Sequence, residues 1–325
     1  DRALELINNR SNLDLGDILF SGTGTIGRTA VIKTKPKNWN IKEGVYVIKP
    51  NSNEINSSYL SYLLNSSEII KEYSKKIVGS PVSSLPMSEL KKLQIPIPPL
   101  PVQKEIVRIL DTFTELTAEL TAELTARKKQ YNYYREQLLS FEEGEVEWKT
   151  LGELAENLDS MRKPVTSGLR ESGDIPYYGA SGVVDYVKDY IFEGDYLLIS
   201  EDGANLIARN TPIAFSISGK TWVNNHAHVL KFNTYAERRF VEYYLNSIDL
   251  TPYISGAAQP KLNQKNLNNI KIPNPSQDEQ ERIVSILDKF DVLTTSISEG
   301  LPKEIELRQK QYEYYRDLLL TFPSL

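Results

Sequence analysis

The sequence predicts an α+β protein built twice over. Two mixed α/β modules are each followed by a long helix, the whole is an internal pseudo-twofold repeat, and the two helices are expected to run antiparallel and coiled-coil-like. Three observations predict it. Leu85, Leu90, Gln103 and Asp111 match Leu262, Leu267, Gln280 and Asp288, each at an offset of 177. Residues 128–141, KKQYNYYREQLLSF, recur as 309–322, QKQYEYYRDLLLTF, at an offset of 181. Between these repeats, short β-type runs give way to apolar residues spaced by three, four and seven, the signature of amphipathic helices with a seam.

Residues 1–96 form the first module. β-type runs at 17–20, 30–32 and 45–48 read as strands, and residues 58–73 read as helical. Residues 97–145 are the first long helix. After Pro96, Pro98, Pro99 and Pro101 neither Pro nor Gly occurs until Gly144, and Ile106, Leu110, Phe113, Leu120 and Leu124 keep one face apolar. Residues 146–275 return to mixed character, rich in Gly, Tyr and Asn. Residues 276–325 repeat the helical region, with Ser276 or Asp278 as N-cap and a break or kink at Gly300-Leu301-Pro302.

The two modules differ in completeness. Gly16-Asp17-Ile18-Leu19 matches Gly194-Asp195-Tyr196-Leu197 at an offset of 178, yet 52 residues separate Phe141 from Gly194 and only 15 precede Gly16. The first module is therefore expected to lack about 37 residues that the second has, if the repeats are alike.

Composition narrows the function. The chain has no cysteine, which excludes disulfide scaffolds, Cys-ligated zinc and thiol catalysis and fits a reducing cytoplasm. Only His226 and His228 are present, too few for a multi-histidine metal site. No apolar run approaches a membrane span. The net charge of −5 is unevenly spread: residues 1–96 carry +4 and residues 276–325 carry −4. A negative total does not exclude DNA, because phosphate binding needs only a local basic face.

Several motifs bear on chemistry. Residues 114–126, TELTAELTAELTA, repeat a helical tetrad, and each tetrad adds about 6 Å of rise and about 40° of rotation. Tetrad number could set the distance between two modules; the plain alternative is good helical filler. Residues 20–28 contain Gly22, Gly24 and Gly27 at GxGxxG spacing after a strand, but no helix is expected to come next, so a nucleotide site is not favoured. A loop bringing Ser21, Thr23, Thr25 and Arg28 to DNA fits better, with a plain turn as the bland alternative.

In the second module polar clusters present Tyr178, Ser181, Arg209, Asn225, His226, Gln259 and Lys261. Asn and Gln bond bidentately to adenine, Arg and Lys to guanine, in the major groove. His226 and His228, two apart, would share a face on a strand, but further metal ligands are lacking. Glu201-Asp202 reads as a turn or a hydrogen-bond acceptor for cytosine. No nucleophile–base set, helicase motif or methyltransferase motif is present.

Taken together these residues resemble the specificity subunits of type I restriction–modification systems. The resemblance rests on the paired "I-P-x-P … Q … I-V-x-I-L-D" openings of the long helices, the "Q-Y-x-Y-Y-R-x-x-L-L-x-F" helix ends, and PYYGASG, SEDGAN, NNHAHVL and GAAQPKLNQ. The short tetrad repeat is similar to the spacer of the type IC branch. The resemblance implies two target-recognition domains, 1–96 (N-terminally incomplete) and 146–275, each reading half of a split site in double-stranded DNA, with 97–145 as central spacer and 276–325 as C-terminal helical region. It implies docking of two modification (methyltransferase) subunits, for which the candidate surface is Tyr131, Tyr134 and Leu138 with Tyr312, Tyr315 and Leu319. Restriction (motor-nuclease) subunits would join them. S-adenosylmethionine, ATP and Mg would belong to those partners, leaving this chain without cofactor, metal or catalysis. The alternative is a non-DNA coiled-coil scaffold carrying two binding domains.

Overall fold

β1 (Ile18–Ser21) runs between β2 (Thr29–Val31) and β3 (Val45–Ile48), antiparallel to both. These strands open the computed structural model, which describes residues 11–37, 39–142, 144–256 and 259–322. The chain divides into two units: one gathers the residues up to Leu124 with those from Ile297 on, the other is Thr125–Ser296.

In the first unit the period of two turns Ile18 and Phe20 inward, both fully buried beneath α1 (Ser57–Leu64). Asn56 caps α1 by accepting the Tyr59 N–H at 3.0 Å. The single helix expected over 58–73 is two, α1 and α2 (Ser67–Ser74). Asn65 donates to Thr29 Oγ1 and Ser66 to the Leu63 carbonyl, and such side-chain bonds compete with helix continuation. Leu85, Leu90 of α3 (Met87–Leu90), and Ile106 and Leu110 of α4 (Leu100–Leu138) complete this core, together with Leu320.

The second unit opens with β4 (Glu147–Thr150), α5 (Leu151–Leu154) and β5 (Glu156–Asn157). Two four-stranded sheets come next. One, in the order β7-β6-β11-β8, uses β6 (Ser172–Gly179), β7 (Gly182–Val187), β8 (Phe192–Glu193) and β11 (Lys220–Val223). The other, β10-β9-β12-β5, uses β9 (Tyr196–Ser200), β10 (Ala214–Ile217) and β12 (Ala227–Lys231). The short helix α6 (Asn205–Ala208) succeeds β9. Leu197 and Ile199 pack toward α7 (Tyr235–Ser247), while Tyr196 and Leu198 join a second core with Phe192, Val223 and Val229. A strand covered on both faces reads as an unbroken apolar run, as 196–199 does. α8 (Gln264–Asn268), β13 (Lys271–Asn274, paired with β4) and α9 (Gln277–Thr295) finish the unit, with Ser276 accepting the Glu279 N–H as N-cap.

The sequence repeat is a repeat of contacts. Gln103 and Gln280 donate to the Pro98 and Pro275 carbonyls at 2.7 and 3.0 Å. Tyr62 and Tyr243 donate to Asp111 and Asp288, each at 2.6 Å. Phe113 stacks on Tyr315 with centroids 5.4 Å apart, and Phe290 on Tyr134 at 5.7 Å. One match shifts. By letter Ile18 aligns with Tyr196, but Ile18 faces α1 as Leu197 faces α7, an offset of 179 rather than 178. A one-residue slip on a strand swaps faces, so packing overrules the letters.

The second long helix is interrupted, as expected, but at residues 296–299, before α10 (Gly300–Leu320). Pro302 lies in the first turn of α10, where a missing N–H breaks no intrahelical bond. No helix of the described residues is long and apolar enough to cross a membrane.

Candidate nucleic-acid interface

In the second unit four segments converge where β9 ends and β12 begins, with Ala227 opposite Ser200. The β6–β7 turn is held there by Ser200 Oγ donating to Ala180 O and by the Asn224 N–H donating to Tyr178 O at 3.0 Å. The 255–261 loop closes through a Ser255–Lys261 bridge, and Lys261 also bridges to Asp202. His226 Nδ1 sits 2.9 Å from the Asp202 carboxylate. Tyr178, Ser181, Asn225, His226, Gln259 and Lys261 thus gather at one end of the sheet, exposed except for half-buried Tyr178. Ala257 and Ala258 of GAAQPKLNQ lie outside the described residues.

Arg209 does not join them, which corrects its placement as a DNA ligand. It comes directly after α6 in the left-handed region, φ 52°, and its guanidinium donates to the Ile248 carbonyl at 2.6 Å and to Leu245 at 3.5 Å. Those carbonyls end α7, where intrahelical donors run out and positive charge is favoured.

Beneath the converging loops lies a charged network. Arg162 contacts Glu201 at 2.6 Å and Asp159 at 3.4 Å, and Lys261 Nζ lies 3.0 Å from Glu201. His228, fully buried, has Nδ1 2.5 Å from Asp159 and Nε2 2.7 Å from the Leu262 carbonyl. Nε2 faces a carbonyl, which only accepts, so Nε2 donates there, and Nδ1 is taken up by Asp159; neither nitrogen is left over for a metal. Asp159, Glu201 and His228 lie within 4.8 Å of one another, the spacing of a metal site, but Arg162 and Lys261 already balance the carboxylates. Burial pushes the Asp159 carboxyl up; the hydrogen bond and charge of His228, the Val229 N–H and Arg162 outweigh it and hold it below the usual value. Glu201 is also pushed up by burial and held low by Arg162, Lys261 and His228.

The first unit builds the same end of its sheet with other residues. The Leu85 N–H donates to Gly22 O as the Leu262 N–H donates to Glu201 O, both at 2.8 Å. Tyr46 OH donates to the Leu85 carbonyl at 2.8 Å, the bond His228 makes to Leu262. His228 is therefore a structural donor, and it does not share a site with exposed His226. The glycines of the GxGxxG run serve packing: a Cβ on Gly22 would lie 2.3 Å from the Tyr46 ring, and Gly27 has φ 90° with the Tyr73 hydroxyl against it. β1 and β2 join as an antiparallel pair, so no helix is set there to cradle phosphate. Thr23, Thr25 and Arg28 are exposed; Ser21 is half-buried and its hydroxyl donates to Thr25 O at 2.6 Å, closing the loop.

The expected partner surface splits. Tyr131 and Leu138 pack on the core of the second unit, and Tyr312 and Leu319 on that of the first, so these four are not free contacts. They face inward because they continue the apolar seam. The outward aromatics are Tyr133 and Tyr314, 58% and 64% exposed, each edge-on to its neighbour Tyr134 or Tyr315. The sequence marks Tyr133 and Tyr314 as part of the tyrosine-rich repeated helix ends, residues of the type enriched at interfaces, without singling them out as the contacts. Sequence reasoning missed Asp159 and Arg162, which no motif marks, and Ser84, signalled only by its offset of 177 from Lys261.

Comparison with known proteins adds an independent line. A family model described as type I restriction modification DNA specificity domain matches residues 4–127 and 143–307. The specificity subunit of the Escherichia coli type I restriction enzyme EcoR124I/EcoR124II is 45% identical over 263 residues, covering 72% of this chain and 64% of that protein. The specificity subunit of the E. coli EcoprrI enzyme is 38% identical over 300 residues, covering 87% and 73%. The chain thus spans less than two thirds of the EcoR124I/EcoR124II relative. Among solved structures, the S subunit of a type I restriction–modification system from M. genitalium superposes with a TM-score of 0.63 at 19% identity, over 96% of this chain and 85% of that one. The HsdS subunit from Thermoanaerobacter tengcongensis gives 0.50 at 20% identity, over 95% and 80%. At these identities the likeness is one of fold.

Proposed function

The chain belongs to the type I restriction modification DNA specificity domain family, and from that premise we propose that it is a sequence-specific DNA-recognition subunit reading a bipartite site. One observation carries the reading: the two units repeat their frame bond for bond while the loops at the equivalent sheet ends diverge. Surfaces that bind one partner twice stay alike, and surfaces that read two different half-sites do not. The proposed readers are Thr23, Thr25 and Arg28 in the first unit and Ser181, Asn225, His226, Gln259 and Lys261 in the second, with Tyr178 at the margin. Exposed amides and cations at the edge of a rigid sheet suit base edges and phosphates.

Two modification subunits are proposed to dock on the repeated helix ends, through Tyr133 with Tyr134 and Tyr314 with Tyr315, with motor-nuclease subunits added for cleavage. Catalysis, and with it S-adenosylmethionine, ATP and Mg, is assigned to those partners, in the cytoplasm. The test is to express the chain with modification subunits and map methylated sites across a host genome. A bipartite consensus that changes when the loops are exchanged is expected; methylation independent of this chain would overturn the reading.

A further inference from the structure

One loop is built alike in both units and tipped with opposite chemistry. A Val78–Ser84 bridge closes residues 78–84 as a Ser255–Lys261 bridge closes 255–261, at the offset of 177. Gly79 and Gly256 both have positive φ, 101° and 85°, and a Cβ on either would lie 2.5 or 2.4 Å from the carbonyl oxygen of Val82 or Gln259. The Gly24 N–H donates to Ser83 O at 2.9 Å, as the Gly203 N–H donates to Pro260 O at 3.2 Å. These bonds place Val82 where the second unit has Gln259. They also fix the first loop against the turn that carries Thr23, which bridges to Ser84.

Residues 78–82, Val-Gly-Ser-Pro-Val, are all exposed and carry no charge. Val82 is 61% exposed and Val78 56%. Two valines are too small a patch for a protein partner, because specific interfaces bury at least about 1,200 Å². A side chain with neither donor nor acceptor reads a base edge only through an apolar group, and in the major groove that group is the 5-methyl of thymine. On the premise that this sheet end reads DNA, we propose that Val82 packs against the methyl group of a thymine. The half-site of the first unit then contains an A·T pair chosen by its methyl, where Gln259 at the same place in the second unit offers an amide. Hydroxyls of Thr23 and Thr25 and the charge of Arg28, on the adjoining turn, supply the polar contacts that a valine does not.

The test uses the chain assembled with modification subunits, and duplexes carrying its mapped methylation consensus in which uracil replaces thymine one position at a time. Uracil deletes the methyl and leaves the base pair intact. At one position in one half-site, uracil should weaken binding by the parent about fourfold, the worth of one buried methyl. The same replacement should cost the Val82→Ser protein nothing, and Val82→Ile, still apolar, should keep the penalty. Both variants alter an exposed side chain, so their Tm should match the parent's. A consensus in which no uracil weakens the parent, or a uracil penalty equal in the parent and Val82→Ser, would overturn the role of Val82 and leave the DNA reading standing. So would a Val82→Ser protein that loses specific and random duplex alike, the mark of an apolar wedge between bases. A parent that prefers no consensus over random duplex would overturn the DNA reading, and the role of Val82 with it.

Discussion

Asn225 and Lys261 stand at the same sheet end and are expected to behave differently. Asn225 is exposed in a turn, and its amide suits adenine. Replacing it with Ala should cost about 1–3 kcal/mol at one base position and leave random DNA unaffected. Competition binding on a randomised library measures this, and a parental profile would remove Asn225 from the readers. Lys261 is half-exposed and paired with Glu201, so it is placed to touch phosphate, and its loss should weaken all sequences alike. Beneath them, Asp159→Ala would strip a buried partner from both His228 and Arg162, at a cost of about 3–5 kcal/mol at neutral pH. The pH dependence has a definite sign. Asp159 and Glu201 are held below their unfolded values, so their stabilisation is present above about pH 4 and is lost as pH falls through the lowered folded values. Thermal melts should therefore show a shallower fall in Tm from pH 5 to about 2.5 in the Asp159→Ala protein than in the parent. Parallel curves would mean that Asp159 does not carry the acid transition.

Among the elements, α4 is the one a spacer would be built from. It is continuous over 39 residues, and Thr114, Thr117 and Thr121 turn their hydroxyls back to the carbonyls four residues earlier. The four residues by which the interval 288–311 exceeds 111–130 fall in the non-helical link 296–299. That difference is not an extra helical tetrad, and the argument for adjustable length rests on α4 alone. One Thr-Ala-Glu-Leu unit added after Ala126 should lengthen α4 by about 6 Å and rotate its C-terminal part by about 40°. Because rotational phase decides whether groove contacts survive, the expected change is one added base pair, with DNA absorbing the residual strain of a few ångströms. Methylation of a randomised-spacer library reads it, and an unchanged spacer leaves the tetrads as filler. The helix ends give a second test. Tyr133→Asp with Tyr314→Asp alters exposed rings and no core, so it should abolish co-purification of modification subunits while leaving Tm within about 2 °C of the parent. Stoichiometric assembly of that variant would move the docking surface elsewhere.

For the whole molecule, binding should be electrostatic in range and bipartite in readout despite the net charge of −5. The logarithm of the affinity should fall linearly with the logarithm of salt concentration, by about 0.9 per neutralised phosphate. Arg28→Ala, in the first unit, should reduce that slope by about 1 without changing the half-site read by the second. An unaltered slope would leave the first unit's loop off the DNA.

Much of this was written in the chain. The duplicated helix openings, the strands at 18–21, 29–31 and 45–48, the cap at Ser276 and the interruption near 300 arise from local chemistry, which neighbours in sequence supply. The resemblance carried by those repeats named the family. Tertiary structure decided the rest, because packing selects among choices that local pattern leaves equal. It set the strand alignment at 179 rather than 178, turned Tyr131 and Tyr312 inward and Tyr133 and Tyr314 outward, and drew Arg209 to the end of α7. It also gathered Asp159, Arg162, Glu201, His228 and Lys261, spread over a hundred residues, into one charge-balanced cluster. A residue's letter states what it is able to bond, and only the fold brings the partner within reach.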